Sequence, residues 1–123
     1  MITKTNMADA FSKFTETWTP KIGGDINESQ LKLAKFDGEF IWHSHKHEDE
    51  LFLVVEGRLR IELRHQPALL LEAGEYAIIP AGTEHRPVAE IPCNVILLEP
   101  SSIVNTGDEQ SNRTVKQLSR IAP

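Results

Sequence analysis

Apolar positions along this chain follow two different periods. In "NMADAFSKFTETW", Met7, Ala10, Phe11 and Phe14 recur at helical spacing. That predicts a short helix over about residues 6–18, with Asn6 or Asp9 as N-cap. Pro20 and the Gly23-Gly24 pair end it. So short a helix is marginal alone, so its apolar stripe must pack on something. From Gln30 onward the period becomes two. "LKLAKF" puts Leu31, Leu33 and Lys35 on one face, and Asp37-Gly38 reads as a hairpin turn before "EFIWHSH". There follow "ELFLVVE", a Gly57 turn, "RLRIELR", a turn around Gln66-Pro67, "ALLLE", a turn at Ala73-Gly74, "YAIIP", "RPVAE" and "NVILLEP".

Strand-sized runs punctuated by Gly or Pro, without alternating helices, predict an all-β antiparallel sandwich or barrel. The strands differ. "RLRIELR" alternates, with Leu59, Ile61 and Leu63 inside and one wet face. "ELFLVVE" and "NVILLE" are apolar on both faces, so both faces need cover. One face fills the barrel; the other needs the N-terminal helix or a second subunit, and a homodimer is the expectation. The domain layout is one domain over 1–123: helix about 6–18, barrel about 26–100, tail about 101–123. In the polar tail, "TVKQL" is expected as a short edge strand or a frayed end.

Composition narrows the function classes. The 123 residues suffice for one real core, and a net charge of −5 with no Lys/Arg cluster argues against a nucleic-acid partner. No apolar run approaches the ~18 residues of a membrane helix, and the N-terminus lacks a secretory signal's apolar region. The single cysteine, Cys93, forms no intramolecular disulfide and reads as a small core residue. The expectation is a soluble, cytoplasmic protein.

The chemistry concentrates in "WHSHKHEDE". His43, His45 and His47 hold three of the five histidines, and an acidic run follows. Residues two apart on a strand share a side, so His43 and His45 point together, about 7 Å apart along the backbone. Glu50 is well placed as a third ligand, because it opens the next strand on the face of Phe52 and Val54. Imidazoles beside a carboxylate suit Fe(II), Mn, Ni, Zn or Cu and suit Ca poorly. The bland alternative is a solvated acidic loop with incidental histidines. In "GEYAIIPAGTEH", the rigid Pro80-Ala81-Gly82 turn would deliver His85 into the sheet interior.

These two segments resemble the paired motifs of the cupin superfamily, small double-stranded β-helix barrels of the jelly-roll type. His43-Ser44-His45, "KHED", Glu50, six residues and Gly57 fit the first motif; Gly74, Pro80, Gly82 and His85 fit the second. Two positions depart: Gly38 precedes the first histidine by one residue fewer than usual, and Ala89 stands where the family has a non-ligating Asn. The resemblance implies His43, His45, Glu50 and His85 as ligands of one divalent transition metal and leaves His47 out. Within the superfamily the chain is similar to small single-domain cupins often labelled mannose-6-phosphate isomerase-like, a label that reflects a shared barrel.

A six-coordinate ion with four such ligands keeps two open positions, which suits a metal-dependent dioxygenase, isomerase or lyase acting on a small molecule. The alternatives are a binding or sensing module without turnover, and a barrel whose metal is only a clamp. The inward candidates for the substrate pocket are Ile41, Phe52, Val54, Tyr76 and Ile78, giving a small, mostly apolar cavity. Phe40 and Trp42 are expected in the outer layer, Arg86 is not expected to serve, and Arg58, Arg60 and Arg64 read as a solvated face. Because the ligands must be deprotonated, metal affinity is expected to fall as pH drops through ~6.5.

Overall fold

The structure is a computed structural model that describes residues 2–122. One short helix, α1 (Met7–Phe11), precedes seven strands: β1 (Lys21–Ile26), β2 (Ser29–Glu39), β3 (Glu50–Glu56), β4 (Arg58–Leu63), β5 (Gln66–Glu72), β6 (Tyr76–Ile79) and β7 (His85–Pro100). All strand pairs are antiparallel, and together they form a double-stranded β-helix.

The long strand β7 joins the two layers. Its residues from Asn94 to Leu98 pair with β3 in a layer ordered β1-β2-β7-β3-β6. Its residues from His85 to Val88 pair with β4, which carries β5 at its other edge. β2 follows β7 around the corner. Between Phe36↔Cys93 and Gly38↔Ala89 the register slips, because β7 spends four steps where β2 spends two. Asp37-Gly38 is therefore a bulge inside one strand and not the expected hairpin. Gly38 (φ 81°) supplies the left-handed conformation that such a bend uses. The turn from β3 to β4 sits against the same corner. A Cβ on Gly57 (φ 88°) would lie 2.4 Å from the Pro92 carbonyl oxygen, so only glycine lets the two backbones meet.

The helix is shorter than the expected 6–18. Asn6 caps it, its Oδ1 accepting the Asp9 N–H, but it stops at Ser12. Threonines at 15 and 17 disfavour helix, and the Trp18 N–H donates to the Lys35 carbonyl of β2 instead. β1 begins at Lys21, where the sequence pattern placed only a turn. The turn between β4 and β5 lies at Arg64-His65, earlier than the expected Gln66-Pro67.

The inner face of the main layer is fully covered, and its outer face is covered in part, over β2 and β7. Inside lie Ala34, Phe36, Phe52, Val54, Leu59, Ile61, Val95 and Leu97. Outside, Phe11 and Phe14 lie on Leu33 and Ile96, with Leu31, Leu53 and Val55 partly sheltered. Trp18 then plugs the barrel mouth. It stacks on Phe36 and Phe40 at centroid distances of 4.2 and 4.8 Å and donates its indole N–H to the Asp37 carbonyl. These contacts hold it at φ 58°, which a bulky residue rarely adopts.

The tail is neither an edge strand nor frayed. It folds back across the open end: Ile22 exchanges backbone hydrogen bonds with Ser119 and Ile121, and Arg120 pairs with Asp25. Asn105 ties the intervening loop together through the Arg113 carbonyl and the Val115 N–H.

Candidate metal centre

His43, His45, Glu50 and His85 converge inside the barrel, all buried, each offering one ligand atom within 4.8 Å of the others. Two atoms bound to one ion lie at most ~4 Å apart, twice a metal–nitrogen bond, so modest side-chain adjustment closes the cluster. Different devices deliver the four. His43 and His85 face each other across an isolated antiparallel bridge, each N–H donating to the other's carbonyl at 3.0 and 2.9 Å. Glu50 is the first residue of β3, the point where the loop of residues 46–49 rejoins the sheet. The Asp49 side chain accepts the Ala81 N–H and so ties that loop to the Pro80-Ala81-Gly82 turn.

Hydrogen bonds settle which imidazole nitrogens are free. His43 Nδ1 lies 2.9 Å from the Ile41 carbonyl, and His85 Nδ1 lies 2.9 Å from the Thr83 carbonyl. A carbonyl only accepts, so each Nδ1 carries the proton and each Nε2 keeps a lone pair toward the cluster. Glu50 Oε1 sits 3.4 Å from His45 Nε2 and 3.5 Å from His85 Nε2. His45 Nε2, His85 Nε2 and Glu50 Oε1 are buried without a hydrogen-bond partner. His45 Nδ1 also lacks a partner; buried polar atoms are rarely left so, and orphaned acceptors on three residues whose ligand atoms lie within 4.8 Å of one another fit a cation.

The electrostatics agree. Burial, reinforced by the neighbouring His85, pushes His43 down to about 4, keeping its ring neutral. Burial alone would raise Glu50, but the facing His45 and His85 outweigh it and hold the carboxyl below its usual range. A neutral imidazole and an ionised carboxylate are the forms a metal needs.

The C-terminal tail buttresses this cluster. A Cβ on Gly107 would fall 2.0 Å from the Ser44 carbonyl oxygen and 3.4 Å from His45 Nδ1, and the Asp108 N–H donates to that same carbonyl. The "NTGD" turn thus packs backbone to backbone behind the His45 segment.

A cavity of about 170 Å³ opens beside His43 and Glu50. Phe52 lines it as expected. Val54 is wholly buried in the core below, and Ile41 packs against that core without lining the cavity. Tyr76 and Ile78 are 63% and 57% exposed, so they are not pocket residues. Their pairing with Leu53 and Leu51 puts them on the outer face of β6, and Ala77 and Ile79 turn inward instead. Phe40, expected outside, lines the cavity. Strand parity does not extend to it because β2 ends at Glu39, and the Phe40 N–H donates to the Pro87 carbonyl. Trp42 does lie outside, beneath the Arg64 guanidinium at 3.9 Å. The arginines of the solvated face pair with acids: Arg58 with Glu72, Arg60 with Glu62 and Glu90, Arg64 with Glu84, and Arg86 with Glu39 and Glu62. His47 is exposed in the loop. Cys93 is buried, and burial pushes its thiol up to about 12, an inert core residue.

The cavity is more polar than expected. Lys32 and Glu99 line it side by side from the adjacent strands β2 and β7, 2% and 4% exposed, with Lys32 Nζ 3.6 Å from Glu99 Oε1. Burial and the nearby Glu50 raise Glu99 well above the usual carboxylate range. Strand parity held the signal for Lys32: it shares the inward face with Ala34 and Phe36, opposite Leu31 and Leu33. The tail supplies Ile103, Asn105, Val115 and Leu118 to the cavity mouth, which no local pattern announced.

The Cupin domain family profile matches residues 32–99. An uncharacterized protein, YdbB, of Bacillus subtilis (strain 168) is 42% identical over 62 residues, 50% of this chain and 55% of that protein, so the match spans about half of that relative. A cupin-2 domain containing protein from Shewanella frigidimarina superposes with a TM-score of 0.76 at 44% identity, covering 78% of this chain and 93% of that one. Hydroquinone 1,2-dioxygenase from Sphingomonas sp. TTNP3, solved with 4-hydroxybenzoate bound, shares the fold at 19% identity and a TM-score of 0.65, covering 71% of this chain and 68% of that one.

Proposed function

The chain belongs to the cupin family, and from that premise we propose that His43, His45, Glu50 and His85 hold one divalent transition metal that acts on a small organic molecule in the adjoining cavity. The observation that carries this is the set of buried, partnerless lone pairs on His45, His85 and Glu50, pointed at one another beside a cavity. The bound ion would supply Lewis acidity toward an oxygen-bearing ligand, or oxygen chemistry if it is iron.

The chain's own residues do the rest. The Ile41 and Thr83 carbonyls hold the His43 and His85 rings with their Nε2 atoms presented. Glu50 lowers the net charge of the ion. Trp18, Phe36, Phe52 and Leu97 exclude water from the cavity, which strengthens every electrostatic contact within it. A hydroquinone 1,2-dioxygenase shares this barrel, so oxygen uptake is the first reaction to measure.

Elemental analysis of purified variants tests the site. His43→Ala and His85→Ala should lose most bound metal, and His47→Ala should keep it; equal loss in all three overturns the ligand assignment. Metal and ligand binding without turnover would leave a sensing module instead of an enzyme.

We further propose that two copies pair through the outer face of β3 and β6, where Tyr76 and Ile78 are exposed beside half-buried Leu51 and Leu53. Sedimentation should show a dimer that Ile78→Lys dissociates; a monomeric parent protein overturns it. A cytoplasmic location fits a chain whose single cysteine is free and buried. Among the described residues no helix is long and apolar enough to cross a membrane.

A further inference from the structure

We propose that Lys32 selects the ligand of the cavity, its ammonium binding the carboxylate of a small monocarboxylic acid, so that the substrate class is anionic; this rests on the metal-pocket function above.

A buried ammonium has three donors to satisfy. Lys32 is 2% exposed, and its one charged neighbour, Glu99 Oε1, stands 3.6 Å away, beyond hydrogen-bond contact. The ion pair with Glu99 is the contact that the Lys32 ammonium makes, and Glu99 Oε2 is itself buried without a partner. The Glu99 Oε2 lone pairs stay open beside the ammonium, and both residues line the cavity that His43 and Glu50 line. The metal cluster uses neither of them.

Charge sets the sign of the missing ligand. With a divalent ion in place, the ion and Lys32 carry three positive charges against one negative on Glu50, because burial and the nearby Glu50 keep Glu99 protonated. That positive excess favours an anion, and the apolar walls strengthen the attraction.

Geometry narrows the anion. A phosphate dianion favours an arginine fork or a cluster of cations, and no arginine lines the cavity. Lys32 is the single buried cation there; Lys116 lies exposed at the mouth. One ammonium matches one carboxylate. The volume of about 170 Å³ limits the body of the ligand to roughly one small ring, since cavities near ~150 Å³ accept benzene. Phe36, Phe52, Leu97 and Trp18 supply the apolar wall for it.

The test uses the full chain loaded with Zn(II), titrated with benzoate and with benzamide, which keeps the ring and removes the charge. Calorimetry and the fluorescence of Trp18, a lining residue, report binding. The parent protein should prefer benzoate by at least about tenfold. Lys32→Met should lose at least about tenfold in benzoate affinity while benzamide binding and metal content stay unchanged, and Lys32→Arg should retain the preference. If leaving Glu99 buried without its cation unfolds Lys32→Met, the doubly neutral Lys32→Met/Glu99→Gln replaces it with the same expectation. The proposal is overturned if the parent does not discriminate, or if the folded variant binds benzoate within about twofold of the parent. It is also overturned if chelation abolishes the preference while Lys32→Met leaves it intact, because the ion alone then selects the anion. Failure of the metal site is separately visible as absent Zn(II), and the Lys32-dependent preference is then read in the same titrations on the metal-free protein.

Discussion

The burial of His43 ties the stability of the metal-free protein to pH. The ring is 3% exposed, its Nδ1–H is held by the Ile41 carbonyl, and His85 faces it with a second imidazole at a centroid distance of 4.4 Å. Burial first, and that neighbour second, lower His43 from 6.5 to about 4. The folded state therefore binds a proton less readily than the unfolded chain. Above pH 6.5 both states are neutral there and nothing is lost. As pH falls from 6.5 toward 4, the unfolded chain gains a proton that the folded chain refuses, and stability drops. The whole difference corresponds to about 3 kcal/mol, of which about 2 kcal/mol is lost between pH 7.5 and pH 5. Other groups also titrate, so the measurement is a difference. Urea midpoints of the parent and of His43→Gln are taken in chelator at both pH values. The parent should lose about 2 kcal/mol more than the variant across that interval. Equal losses would refute a buried neutral His43. The same shift refines the expected pH dependence of metal binding: at this nitrogen, protons compete with the ion near pH 4 instead of near ~6.5.

Other outcomes follow from packing. Phe11→Ala should cost about 3 kcal/mol in chemical denaturation, because it strips the outer cover from Leu33 and Ile96; a loss under about 1 kcal/mol would mean α1 does not stay docked. Gly107→Ala should cost at least about 2 kcal/mol and weaken metal retention, since its φ is 60° and its Cβ would overlap the Ser44 carbonyl behind His45. Unchanged melting and unchanged metal content would refute the close backbone approach.

Local pattern went far in this chain wherever one strand's chemistry sufficed. Alternation located β4, and apolar runs punctuated by Gly or Pro located β3, β6 and most of β7. The resemblance of the segments from His43 to Gly57 and from Gly74 to His85 to the cupin motifs implied the four residues that converge. Alternation works because a strand's sides are set by its own backbone. It failed where that backbone changes course. Tyr76 and Ile78 were misjudged because the inward face of β6 depends on its pairing with β3, which lies over twenty residues earlier in the chain. Phe40 was misjudged because β2 ends one residue before it. Asp37-Gly38 has the composition of a hairpin turn, yet its partner strand β7 continues past it and makes it a bulge.

The sequence by itself determined the fold class and, through its resemblance to the cupin motifs, which four residues converge, because both rest on residue type and short spacing. Tertiary structure alone decided what surrounds that centre. Strand parity turns Lys32 inward with Ala34 and Phe36, but only the pairing of β2 with β7 sets its ammonium beside Glu99. The tail reads as polar and unstructured; only its return to Ile22 and to the Ser44 backbone makes it the mouth of the cavity. Both depend on contacts between segments far apart in the chain, and no local spacing encodes which distant segment a side chain will meet.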